Sequence, residues 1–373
     1  MSLPQIRVAP VRDRTAHREF LAFPYRHYRN DPHWVAPLRI AQRDLLDTAK
    51  HPFWAHAELQ CFLARNAAGA VGRIAAILDR NYLEFHHEPA GFFGFLETVN
   101  DPEVAQALLE AAAGWLRQRG ARVFRGPMNP STNYECGLLV EGFDSSPQVM
   151  MPYNPPYYAA LLEQAGLRRA KDLYAYDART REAATGKVAR VARRALQGNE
   201  LCIRPMRTHD LKAEATLAWE IYNSAWGRNW GFVPMSRDEF LFLVRDMRPI
   251  LDPELILFGE VGGKAVAFVL ALPDINRALK HARGRLFPLG LLKIMYHKRT
   301  IRSLRVITLG VLEEYRTAGV AAGLYAELIR RSSRRGYQDA EMSWVLEDNV
   351  LMNRSLEALG ARRYKTYRIY EWN

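Results

Sequence analysis

Two stretches of this chain return later in the same order, and that repeat constrains the fold more than any other feature. Residues 94–120 overlay residues 310–336 without a gap. Gly94, Leu96, Glu97, Val104, Ala105, Leu108, Arg119 and Gly120 recur as Gly310, Leu312, Glu313, Val320, Ala321, Leu324, Arg335 and Gly336. Each block reads as a strand end, a turn, a helix and a glycine stop. Residues 161–177, LLEQAGLRRAKDLYAYD, then match residues 355–371, SLEALGARRYKTYRIYE. That pair reads as a helix end, a glycine cap and an alternating strand. The first copy carries extra residues between its blocks, within residues 121–158, where GPMNPSTNYECGLLVEGFD lies.

A chain of 373 residues exceeds what one core usually serves. With the repeat, the expected division is a domain over residues 1–178, a basic connecting helix over 179–199, and a second domain over 200–373. Strands are expected at 5–9, 57–65 and 70–78 in the first copy. The second should hold strands at 201–206, 255–261 and 265–272, with helices starting at Asp210 and Ser236. The fold class is α+β: mixed β-sheets flanked by helices, built twice.

The net charge of +12 suits a polyanionic partner: nucleic acid, an anionic membrane surface, or the phosphates of a nucleotide. Cys61, Cys136 and Cys202 stand apart, and the histidines show no metal-ligand spacing. No metal site is expected, and the compartment is a reducing one. The N-terminus lacks the apolar core of a signal peptide, and Lys293 breaks the apolar run at 287–296. The expectation is a cytoplasmic protein, soluble or peripheral on the inner membrane.

The strongest chemical signal is RVITLGVLEEYRTAGVAAGLYAEL. A β-rich run leads into Arg316-Thr317-Ala318-Gly319-Val320-Ala321, which opens a helix. Small residues at Gly319 and Ala321 let a ligand approach the backbone. The first helical turn then points free N–H groups and the positive end of its dipole at an anion. An ordinary strand-to-helix turn is the plainer reading of the same residues.

The segment resembles motif A of the GNAT superfamily, (Gln/Arg)-x-x-Gly-x-(Gly/Ala), whose turn binds the pyrophosphate of coenzyme A. Trp344-Val345-Leu346-Glu347-Asp348-Asn349, followed by a helix ending at Leu359-Gly360, resembles motif B of that family. The resemblance covers residues 201–373 well and residues 6–177 weakly, through the repeat. It implies acyl-CoA in a split between central strands. Leu309 and Val311 would meet the pantetheine, and Arg316, Thr317, Ala318, Gly319, Val320 and Ala321 the phosphates, with Asn349 alongside. The first copy has Asn100-Asp101-Pro102-Glu103-Val104-Ala105 at the aligned positions. Proline removes a donor and two carboxylates face where phosphates would lie, so that copy is degenerate and lacks the cofactor loop.

Amine acylation needs a deprotonated acceptor, a polarised carbonyl and a protonated leaving thiolate. Many members of the family place a base glutamate eleven residues before the motif A arginine; here that position is Arg305. Many place an acid tyrosine four before the closing glycine; here it is Leu356. Catalytic candidates are therefore Asn349 and Asn353, from motif B, and Glu135. Glu135 and Asn133 lie in a Gly/Pro-framed loop whose polar residues are either turn formers or ligand-facing. Tyr222, Trp226, Asn229 and Trp230, in YNSAWGRNWGF, are expected over the acceptor site.

Residues 276–299 interrupt a strand-to-strand hairpin with basic residues mixed among Leu, Phe, Ile and Met. That composition fits a lipid–water interface, a lid over an acyl chain, or an ordinary packed insertion. The expected function is acyl-CoA-dependent N-acyl transfer to a primary amine. The favoured acceptor is a long-chain lipid amine such as a sphingoid base, in the manner of the bacterial ceramide synthases. Competing readings are a small-molecule N-acetyltransferase, a Fem-like enzyme taking an aminoacyl group from tRNA, and a non-catalytic acyl-CoA-binding protein. The intact phosphate loop argues against a tRNA donor. Expected partners are acyl-CoA, the amine and an anionic membrane surface.

Overall fold

A computed structural model of the chain describes residues 6–180 and 201–372. Of the connecting helix expected over 179–199, everything past Thr180 lies outside the described residues. The chain forms two compact units that cut across sequence order. Unit 1 holds Met1–Asp172, Leu279–Ile294 and Thr366–Asn373; unit 2 holds Leu173–Ala278 and Met295–Lys365.

In the first half of the chain β1 (Arg7–Pro10), α1 (Arg14–His27) and α2 (Arg39–Leu45) precede a long hairpin of β2 (Ala57–Asn66) and β3 (Gly69–Asp79). Then come α3 (Arg80–His86), β4 (Ala90–Thr98), α4 (Pro102–Arg117), β5 (Val123–Gly126), β6 (Met128–Asn129), β7 (Glu135–Cys136), β8 (Leu138–Glu141), α5 (Tyr158–Gln164) and β9 (Arg168–Arg179). The second half runs β10 (Leu201–Pro205), α6 (Leu211–Trp226), α7 (Arg237–Met247), β11 (Ile256–Val261) and β12 (Lys264–Pro273). It continues with α8 (Asn276–Ala282), α9 (Gly290–Lys298), β13 (Ser303–Val311), α10 (Val320–Arg334), β14 (Asp339–Leu346), α11 (Val350–Ala358) and β15 (Arg362–Trp372). Asp210 and Ser236 cap α6 and α7 through their side chains, as short polar residues do at helix starts.

Both units use the same mixed plan. In unit 1, β1, β2, β3 and β4 run antiparallel, and β5 joins β4 in parallel. In unit 2, β10 to β13 run antiparallel and β14 joins β13 in parallel. The outermost strand on the parallel side comes from the other half of the chain in each case. Residues 366–372 of β15 pair with β5 and β8 in unit 1, and residues 173–179 of β9 pair with β14 in unit 2.

Alternation along the strands feeds a core on each face of the unit 2 sheet. Leu257, Val269, Leu304 and Val306 pack with Val320, Leu324 and Leu328 of α10. On the other face, Phe258 and Phe268 pack with Ala218 and Ile221 of α6. In unit 1 the stripe Val104, Ala105, Leu108, Leu109, Ala112, Leu116 of α4 fills the matching position, at helical spacing.

The insertion between β12 and β13 forms α8 and α9. Its residues 279–294 belong to unit 1, where the Arg39 N–H donates to the Gly284 carbonyl at 3.0 Å and Lys280 Nζ to Ser146 Oγ at 3.1 Å.

Candidate active site

The β13–β14 pair opens into a fork. They pair in parallel only from Ser303 to Val306, whereas β13 stays bonded to β12 as far as Val311. Beyond Met342, β14 pairs with β9, through Val345 and Leu346. A register shift marks each strand at the opening, where β13 passes Thr308 and β14 passes Ser343. Bulges of this kind bend strands and end pairing beside functional sites. The edge of β13 over Leu309–Val311 faces the opening, with no strand on that side among the described residues.

A groove of about 1030 Å³ occupies the fork. Leu309 and Val311 form one wall, and Arg316, Thr317, Gly319 and Ala321 line the end where α10 begins. Asn349, Met352 and Ser355 contribute from α11, and Trp226, Asn229 and Trp230 from the end of α6 and its following loop. Gly319 is the N-cap of α10 with φ of 76°, a left-handed conformation that glycine adopts without strain, and no side chain caps the helix. An uncapped helix start approached over bare backbone is an anion site. Gly310 serves a different close approach: a Cβ there would stand 2.4 Å from the Trp226 ring, which lies against the strand. Arg316 is braced by the Ala225 carbonyl, to which Nη2 donates at 2.8 Å. The small residues, the uncapped helix and the open strand edge fit the phosphates and pantetheine of coenzyme A.

The corresponding slot in unit 1 is filled by the chain itself. A Cβ on Gly94 would lie 1.7 Å from the Met128 carbonyl oxygen, and the Phe95 N–H donates to Asn129 Oδ1 at 2.6 Å. By the repeat, Phe95 occupies the place of Val311. The extra residues of the first copy thus lie where a pantetheine would. Asp101 also caps α4, accepting from the Glu103 N–H at 2.9 Å, with Pro102 in the first turn. Behind this plug, Glu97 is sealed with Tyr28, Tyr158 and Arg73; Tyr158 donates to it at 3.0 Å, and burial raises its pKa. Strand edge and helix start are both taken in unit 1, by Asn129 and Asp101.

The expected site residues separate into groups. Leu309, Val311, Arg316, Thr317, Gly319, Ala321, Asn349, Trp226, Asn229 and Trp230 all line the groove. Ala318 and Val320 belong to the same turn but pack their side chains toward the core. Tyr222 stands one helical turn before Trp226 and packs its ring, tilted, against Trp226, Phe232 and Phe240. Asn349 Oδ1 caps α11 by accepting from the Met352 N–H at 3.2 Å. Asn353 accepts from Tyr176 Oη at 2.9 Å and donates to the Leu346 carbonyl at 3.0 Å, holding the end of β14. Asn133 and Glu135 belong to unit 1, where Glu135 of β7 pairs with Asn129 of β6. Among the described residues no group of His, Cys, Asp and Glu is placed to hold a metal ion.

Sequence reasoning missed the charged pair at the base of the fork. Arg305 and Glu341 are register partners in the parallel pair, each 1% exposed. Arg305 Nε donates to Ser343 Oγ at 2.9 Å, and Ser343 Oγ donates to Glu341 at 2.6 Å; Tyr364 also donates to Glu341. Burial pushes the Glu341 carboxyl above its ordinary pKa, with Arg305 pulling the other way. A charge at matching places in two apolar runs, LRVI and EMSWV, was the available signal. Arg305 was read only as a missing glutamate.

A parallel fork opening on an uncapped helix start, set in a mixed sheet, is the architecture of the acyl-CoA-dependent N-acyltransferases. Solved structures share this fold at low identity. The tandem GNAT protein from the clavulanic acid biosynthesis pathway superposes with a TM-score of 0.58 at 11% identity, covering 99% of this chain and 98% of that one. The glucosamine N-acetyltransferase region of a fungal multi-domain GH3 β-N-acetylglucosaminidase gives 0.59 at 14% identity; the match covers all of this chain and 38% of that one. Protein YghO of Escherichia coli strain K12 is 37% identical over 364 residues, 95% of this chain and 92% of that protein. The bacterial ceramide synthase of Caulobacter vibrioides is 34% identical over 378 residues, 98% of this chain and 96% of that protein. No protein-family model matches the chain. The chain belongs to one family with these two relatives, and its fold is that of the tandem GNAT proteins. It is an enzyme, and its fold implies acyl-CoA as co-substrate.

Proposed function

We propose that this enzyme moves a long acyl chain from coenzyme A to the amino group of a long-chain lipid amine such as a sphingoid base. The observation that carries the reading is the kinship with the Caulobacter bacterial ceramide synthase, which extends over 98% of this chain and through both units. The groove agrees with it. Beyond the helix start its lining includes Trp226, Trp230, Leu346, Leu351 and Met352, side chains that suit hydrocarbon.

In the proposed reaction the amine nitrogen attacks the thioester carbonyl carbon. The C–N bond forms, the C–S bond breaks, and the nitrogen's proton leaves to a base while the departing sulfur takes one up. Gly319 and its neighbours hold the phosphates, and the Leu309–Val311 edge aligns the pantetheine. The roles proposed for the remaining residues of unit 2 are Asn349 and Asn353 beside the thioester, and Tyr222, Trp226, Asn229 and Trp230 around the acceptor.

Acyl length tests the reading. Each methylene buried in an apolar site adds about 0.8 kcal/mol, so a C14–C18 chain should far outrun a two-carbon one. With a long-chain amine and equal donor concentrations, kcat/KM is expected to be at least about 100-fold higher for the C14–C18 acyl-CoAs than for acetyl-CoA. Equal or better turnover with acetyl-CoA would return the protein to the small-substrate acetyltransferases.

A further inference from the structure

The turn before α9 and α9 itself carry an apolar ridge standing in solvent. Of the ten large apolar side chains exposed among the described residues, six fall between 287 and 296, with Phe287 76%, Leu292 61% and Tyr296 67% exposed. Helical spacing explains the arrangement. Gly290, Ile294 and His297 turn toward the protein, while Leu291 with Met295, and Leu292 with Tyr296, stack outward one turn apart. The base of the ridge is fixed. A Cβ on Gly290 would meet the Arg285 carbonyl at 1.7 Å, and one on Gly284 the Tyr25 ring at 2.5 Å.

The ridge is ringed by positive charge. Arg283, Arg285, Lys293 and Arg299 are exposed, and none has an ion-pair partner among the described residues. Between Asp274 and Glu313 the chain has no carboxylate at all. No helix among the described residues is long and apolar enough to cross a membrane.

We propose that this face docks the enzyme on the surface of an anionic phospholipid bilayer. The ridge enters the boundary between headgroups and acyl chains, and the surrounding arginines and lysine rest on lipid phosphates. A second copy would bring like charges together around the ridge. An acidic protein would meet the charge, and the exposed Phe287, Leu292 and Tyr296 call for hydrocarbon as well. A fluid anionic surface meets both. The proposal stands on the exposed helix and goes beyond the acceptor reading, with which it would be compatible: an enzyme held there meets amines that never leave the bilayer.

The test is sedimentation of the full chain with vesicles of phosphatidylglycerol and phosphatidylethanolamine, against vesicles of phosphatidylcholine alone. The expected result is binding to the anionic vesicles that falls at least about tenfold as salt rises from about 0.01 M to about 1 M, where the screening length shrinks about tenfold. Leu292→Glu with Tyr296→Glu, and separately Lys293→Glu with Arg299→Glu, should each lower vesicle binding about tenfold or more. Coenzyme A affinity and melting temperature serve as the folding controls and should not change. Equal binding to neutral vesicles, or charge-reversed variants that bind like the wild type, would overturn the proposal. So would a concentration-dependent dimer abolished by Leu292→Glu, or an acidic protein as the only retained partner. Failure of acyl transfer to a detergent-dispersed long-chain amine, with vesicle binding intact, would instead remove the acceptor reading alone.

Discussion

Replacing Gly319 with glutamate should abolish coenzyme A binding while the protein stays folded. Two effects add at this position. The φ of 76° is a left-handed conformation that costs a side-chain-bearing residue roughly 1–2 kcal/mol. A carboxylate held against a pyrophosphate adds repulsion on the order of 4 kcal/mol per unit charge at 4 Å, at an effective dielectric near 20. The strain taxes the fold, and the repulsion alone lowers affinity about 100-fold or more, since about 1.4 kcal/mol is a factor of ten. The matched control is Glu103→Gly, at the position that Gly319 occupies in the repeat. There the helix start is capped by Asp101, and the strand edge is plugged by Asn129. Coenzyme A titration of that variant should match the wild type, with one binding event per chain. Two variants that titrate alike would contradict a single cradle in unit 2.

The buried pair at the fork carries the second large effect. Glu341→Gln or Arg305→Met should each destabilise the protein by about 3–5 kcal/mol, because each takes an opposite charge away from a fully buried one. The double change Arg305→Met with Glu341→Met removes both charges, keeps the volume and should recover most of the loss. For Glu341→Gln the melting temperature should fall by several degrees or more, with the double variant close to the wild type. Chemical unfolding of the wild type, Glu341→Met, Arg305→Met and the double variant completes the cycle. Single variants within 1 kcal/mol of the wild type would mean that water reaches the pair and that the base of the fork is open.

The repeat made the duplicated plan readable, because strand, turn, helix and glycine stop fell at matched intervals in both copies. The α6 and α7 starts were readable from Asp210 and Ser236, whose side chains do cap them. Gly319 and Ala321 could likewise be recognised as small residues at a helix start, which is where the structure has them. The exchanged last strands were not readable. The second matched block ends in an alternating strand in both copies, and alternation fixes which face is buried but not which strand lies alongside. The plug in the first copy was equally hidden: Asn129 looked like one more turn residue in a Gly/Pro frame until its oxygen met the Phe95 N–H. Motif position singles out Asn353, and only the structure shows its bonds to the Leu346 and Glu347 carbonyls at the end of β14. Arg305 and Glu341 lie on different strands, far apart in sequence, and only the parallel register makes them a pair.

The most direct measurement supplies the full chain with a C16 acyl-CoA and equal concentrations of a long-chain amine and a small water-soluble amine, and reads the products by mass spectrometry. The expected result is the long-chain amide as the dominant product, with one free coenzyme A released per amide and none formed by the Gly319→Glu variant. Acylation of the small amine alone, or coenzyme A released without any amide, would contradict the assignment of this enzyme to lipid amine acylation.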